Sequence, residues 1–150
     1  MKTLKRVAEA AEMRGRLLTL TPEDRGLWGA MSAGEMVCHV RGAFRMALGR
    51  EKTLPVKGAM PPQILKLLAL WMPMQWPHSL PTVAELERGR PAVEPGRFAS
   101  DHAGLMAEFD DFVAGRENRT EHPMLGAMSP REWMRWGYLH TDHHLRQFGR

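Results

Sequence analysis

Seven histidines stand at positions 39, 78, 102, 122, 140, 143 and 144. Three of them fall in Tyr138-Leu139-His140-Thr141-Asp142-His143-His144-Leu145-Arg146-Gln147-Phe148. On a helix, residues i and i+4 lie about 40° apart and one turn along the axis. His140 and His144 can therefore aim their imidazoles at one point. His140 and His143 meet a similar condition, because i and i+3 are also neighbours. The apolar pattern separates the two pairs. Trp133, Trp136, Gly137, His140, His144 and Phe148 trace one inward face, and His143 sits beside Trp136 at its edge, as an outer-layer or surface group. The chemistry offered by the inward pair is metal ligation. The alternative is two surface or core histidines with ordinary partners. An unpartnered ring on a buried face costs about 1–3 kcal/mol, which favours ligation.

His39 supplies the third imidazole. It lies on the line Met36, His39, Val40, Ala43, the inward face of another amphipathic segment. Three imidazoles from two helices suit a site with an open fourth position, as catalytic zinc centres have. Nickel, iron and copper also accept imidazole. Carboxylate partners are scarce. Asp142 lies about 200° around the helix from His140 and points outward. Glu35 and Glu132 are taken up by helix capping. Cys38, the single cysteine, is a small buried hydrophobe beside His39. Gln147 either orients a ligand or faces solvent near a helix end.

These side chains need helices to carry them. Residues 3–18 place Leu4, Val7, Ala8, Ala11 and Leu18 at helical spacing. Thr21-Pro22-Glu23-Asp24 is a turn or a helix start. Ser32-Ala33-Gly34-Glu35 fits a capping box and opens a helix over about 33–48, stopped by Gly49. Met36, His39, Val40, Ala43, Phe44 and Ala47 share its face. Eight of the eleven prolines lie between 50 and 97. That stretch predicts an ordered crossover with helical turns from Gln63 to Trp71, opened by Pro61-Pro62. Leu70, Trp71, Trp76 and Leu80 call for burial. Trp71, Met74 and Trp76 either wall an apolar pocket over the metal or pack the core. Phe98 to Ala114 is helical again, capped by Ser100 or Asp101, with Leu105, Met106, Phe109, Phe112 and Val113 inward. Ser129-Pro130-Arg131-Glu132 is a second capping box, opening a helix from Pro130 to about Phe148. The motif Gly-Ala-Met-Ser-x-x-Glu occurs at 29–35 and again at 126–132, ahead of both histidine-bearing helices. The fold expected is all-α: one domain over 1–150, a four-helix bundle with a long Pro-rich crossover between the second and third main helices.

Composition agrees. The 150 residues include twelve Met but only six Phe or Tyr, and hydrophobic residues make up 43%. Helix formers dominate and β-branched residues are few. The formal charge is +4, but the arginines are scattered, without a basic run or an aromatic-basic stripe. That excludes a nucleic-acid reading. The longest apolar stretch, Ile64 to Met74, is broken by Lys66 and Pro73 and is too short to span a bilayer. No signal-peptide core opens the chain, and a lone cysteine suits a reducing compartment, so a cytoplasmic location is expected.

Trp28-Gly29-Ala30-Met31-Ser32-x-x-Glu35-Met36-x-x-His39 resembles the second helix of the DinB-like superfamily of metal-binding four-helix bundles. His122-Pro123-x-Leu125-Gly126-x-Met128-Ser129-x-x-Glu132-Trp133 and His140-x-x-x-His144-x-x-Gln147 resemble its last loop and fourth helix. Pro81-Thr82-x-x-Glu85-Leu86 is similar to a branch of unassigned function. The resemblance runs from about Arg14 to Phe148. It implies His39, His140 and His144 as ligands of a divalent ion, zinc or nickel first, with iron or manganese permitted. It also implies a metal-dependent transferase using a low-molecular-weight thiol, a hydrolase, or a non-catalytic binding protein. A small-molecule substrate or thiol is the partner expected, with a homodimer by analogy and no membrane or nucleic acid.

Overall fold

The computed structural model describes residues 1–56, 60–72, 75–78, 96–116 and 121–150. Most of these are helical, in α1 (Val7–Leu18), α2 (Ala33–Ala47), α3 (Pro62–Trp71), α4 (Phe98–Val113) and α5 (Pro130–Gln147). The described strand is one small antiparallel hairpin, β1 (Glu121–His122) and β2 (Gly126–Ala127). The expected positions Met74 and Leu80 and the Pro81–Leu86 motif lie outside the described residues.

α2 and α5 are opened by matching devices. The Ser32 hydroxyl accepts the Glu35 N–H at 3.2 Å, and the Glu35 carboxylate accepts the Ser32 N–H at 2.7 Å. Ser129 and Glu132 repeat the exchange at 3.3 and 2.8 Å. In both copies the glycine three residues earlier has positive φ, 76° at Gly29 and 69° at Gly126. The short repeat therefore has the same local geometry twice. Each copy satisfies helix N-terminal donors that would otherwise lack partners.

α1 departs from its expected face. It begins at Val7, and Ala10, Met13 and Leu17 are buried while Val7, Ala8, Ala11 and Leu18 face solvent. Leu4 is buried ahead of the helix, its N–H donating to the Met134 carbonyl at 3.1 Å. Met13 and Leu17 offer more apolar area than Val7, Ala8 and Ala11, and burying them leaves Leu18 exposed at the helix end. α4 also differs at its start. Arg97 holds the N-cap position, without a side-chain cap. Ser100 donates back to the Arg97 carbonyl, and Asp101 accepts the Gly96 N–H at 2.8 Å. Its apolar face is as expected, with Leu105, Met106, Phe109 and Phe112 buried. Thr21-Pro22 forms a turn, its Thr21 N–H held by the Asp24 carboxylate.

The long helices contact one another in a closed circuit: α1 with α5, α5 with α2, α2 with α4, and α4 with α1. The core fills its centre. Phe44 meets Phe109 edge-on at 5.6 Å and Phe112 at 5.0 Å, and Trp133 is fully buried below them. At the end of α2, Arg45 and Arg50 grip the buried Glu108 of α4 at 3.1 and 2.6 Å. α3 lies outside the circuit against α5 and β2, with Leu70 as its buried residue. Lys66 ties it to the hairpin through the Ala127 carbonyl at 2.7 Å. No described helix is long and apolar enough to cross a membrane.

Candidate metal centre

α2 and α5 lie side by side, and the three expected ligands meet where they do. His39 and His144 are buried, and His140 keeps some exposure. One ring nitrogen from each of His39, His140 and His144 lies within 4.8 Å of the others. The Nε2 atoms of His39 and His140 are 3.3 Å apart. Zinc–imidazole bonds in a tetrahedral site separate ligand nitrogens by about 3.4 Å, so one edge of such a site already has its length. In a metal-free chain the same separation lets one of these nitrogens donate to the other. No carboxylate or thiol joins the group among the described residues. The donor set is three imidazoles, which suits zinc, nickel or another borderline ion rather than an oxygen-seeking one.

Electrostatics favour the ligating form. Burial holds His140 and His144 well below the usual imidazole pKa, and the neighbouring histidines push the same way. Both rings are therefore neutral, as ligation requires. Trp136 stacks on His140 at 5.0 Å with 15° between the planes, and Trp76 of the crossover stands edge-on to it at 6.3 Å. These indoles fix one ring and shield it from water.

Gln147 is buried, which rules out its solvent-facing reading. Its Oε1 lies 3.1 Å from His144 Nδ1, and its amide nitrogen donates to the Trp28 carbonyl at 2.9 Å. Sequence reasoning passed over Trp28 and Gly29 as site residues. The available signal was their place three and four residues ahead of Ser32, the N-cap of the helix that carries His39.

The remaining histidines have other surroundings. His143 is buried rather than on the surface, against His144 at 5.1 Å, Trp76 at 6.0 Å and Trp28 at 6.2 Å. Burial pushes it down to about 4, and its Nδ1 has no hydrogen-bond partner. His122 sits in the hairpin, its Nδ1 accepting the Met124 and Leu125 N–H groups at 3.1 and 3.2 Å. Burial takes it to about 4 as well. His102 bonds the Leu17 carbonyl at 2.8 Å, and His78 stacks on Trp28 at 4.0 Å. Asp142 points away from the site, into ion pairs with Arg16 at 2.7 Å and Arg146 at 2.9 Å. Cys38 is buried, and burial raises its thiol to about 11, so it behaves as a hydrophobe. Trp71 packs under the Arg131 guanidinium at 5.1 Å, which leaves Trp76 as the crossover indole beside the histidines.

Part of this geometry lies in a recognised stretch of sequence. Residues 84–150 match the model of a family described as a protein of unknown function (DUF1569). That stretch contains His140, His144 and Gln147, whereas His39, Trp28 and Gly29 precede it. No curated protein and no solved structure matches the chain.

Proposed function

We propose that this chain is a DinB-like four-helix bundle that binds one divalent ion through His39, His140 and His144, zinc or nickel by preference. The convergence of three imidazoles from two helices is the observation that carries this reading. The closed circuit of α1, α5, α2 and α4 supports the bundle, with α3 outside it.

The reaction we favour is metal-dependent transfer to or from a low-molecular-weight thiol, or hydrolysis. An ion held there would supply Lewis acidity, either lowering the pKa of a bound water or holding a thiolate. The chain's own part is to hold ligands and exclude solvent. Trp136 and Trp76 shield His140, and Gln147 orients His144. No described carboxylate stands with the imidazoles as a general base. The second reading is a non-catalytic metal-binding protein, favoured by that same lack of a base.

Elemental analysis of the purified protein tests the metal reading. One ion per chain is expected, lost in His39→Ala. A metal-free protein that takes up neither zinc nor nickel on dialysis would refute it. Turnover of a thiol and electrophile panel by the loaded protein, absent after chelation, separates enzyme from binding protein.

A further inference from the structure

We infer that Gln147 is a positioning residue that sets the tautomer of His144, and that position 29 is glycine to make room for it. The consequence for metal binding rests on the reading above; the hydrogen-bond geometry does not.

The chain of bonds has one direction. A backbone carbonyl can only accept, so the atom of Gln147 that lies 2.9 Å from the Trp28 oxygen must be the amide nitrogen. Its oxygen is then the atom 3.1 Å from His144 Nδ1. An amide oxygen also only accepts, so Nδ1 must carry the hydrogen. A neutral imidazole has a single N–H, which leaves the lone pair on Nε2. The Trp28 carbonyl thus fixes which nitrogen of His144 keeps a lone pair for an ion. His143, one residue away, lacks such an anchor, since its Nδ1 is buried without a partner.

Gly29 explains how the amide reaches that carbonyl. Its φ is +76°, a region that side chains other than glycine's rarely adopt. A Cβ built there would lie 2.5 Å from Gln147 Nε2. That atom is the far end of a side chain, so the amide would have to swing away and lose both bonds, and the left-handed backbone at position 29 would be strained as well. Gly29→Ala should therefore act on His144 through Gln147.

Two readouts test this: imidazole nitrogen-15 NMR of the metal-free protein, and zinc affinity by competition with a chromophoric chelator. The wild type should show His144 protonated at Nδ1. Gln147→Leu should lose that preference and bind zinc about 10- to 100-fold more weakly, as loss of an outer-layer partner does. Gly29→Ala should move both readouts the same way. Gln147→Glu, which keeps an acceptor for Nδ1 but cannot donate to the Trp28 carbonyl, should hold the Nδ1–H tautomer and recover only part of the affinity, binding more tightly than Gln147→Leu and more weakly than the wild type. An unchanged tautomer in Gln147→Leu, or zinc affinity within about twofold of wild type, would overturn the inference. If the wild type binds no zinc, the metal reading fails, and the NMR of the metal-free protein still decides the role of Gln147.

Discussion

His39 and His140 face each other across 101 residues of chain, with their Nε2 atoms 3.3 Å apart. Neither lies near the other in sequence, and among the described residues no carboxylate belongs to the group they form with His144. The first prediction follows from this pairing and from His144 beside it. His39→Ala, His140→Ala and His144→Ala should each reduce zinc affinity by more than the roughly 100-fold ceiling for outer-layer partners. His78→Ala, His102→Ala, His122→Ala and His143→Ala should retain one ion per chain. Loss of metal from the His143 variant with retention in the His144 variant would reverse the assignment.

Metal release should lie at lower pH than free imidazole chemistry suggests. His140 and His144 are pushed down by burial before any ion binds. Protons therefore compete weakly until the pH is below the ordinary value of about 6.5. Release should then be steep, because several ligands protonate together. Chelator competition across pH, followed alongside the melting temperature, measures it. A release midpoint above about 6.5 would show that the imidazoles are not predisposed as described.

His122 gives the metal-free protein its own pH dependence. Its folded pKa is about 4 against an ordinary value near 6.5. The unfolded chain binds the proton first, so this contribution is complete above about 6.5 and is lost as pH falls toward 4. The shift corresponds to about 3 kcal/mol. His122→Phe should make that part of the curve less steep, leaving the slope that His140, His143 and His144 contribute. It should also cost about 1–3 kcal/mol at neutral pH, because the Met124 and Leu125 N–H groups lose their acceptor. Urea unfolding at pH 7 and near the folded value checks both effects.

The two capping boxes should be of similar strength. Ser32→Ala and Ser129→Ala each remove one side-chain acceptor from a helix N-terminus, and each should cost about 1 kcal/mol. Thermal unfolding of the two variants is the measurement. A marked inequality would mean that the repeat in sequence is not a repeat in energetics.

The histidine cluster was legible in the sequence because two simple rules met there. A spacing of four placed His140 and His144 together, and the apolar stripe pointed them and His39 inward. The helix starts at Ser32 and Ser129 were legible because a capping box is written in adjacent residues. α1 was misjudged because Ala8 and Ala11 fit the helical period without contributing much buried area, whereas Met13 and Leu17 do. The cap of α4 was misjudged because Asp101 bonds Gly96 instead of the helix it was expected to start. His143 looked peripheral because helical spacing describes one helix at a time. Trp28 and Trp76 approach it from elsewhere in the chain. The bond from Gln147 to the Trp28 carbonyl was hidden for the same reason, since it joins residues 119 positions apart.

Because the donors come from α2 and α5, an ion bound to all three would act as a reversible staple. It would close a loop of 101 residues between His39 and His140, much as a disulfide would, without needing an oxidising compartment. A single backbone cut between α3 and α4 would leave His39 on one fragment and His140 and His144 on the other. Zinc should then add to the core contacts that join the two fragments, and a chelator should weaken their association. The affinity of one fragment for the other would then follow metal supply.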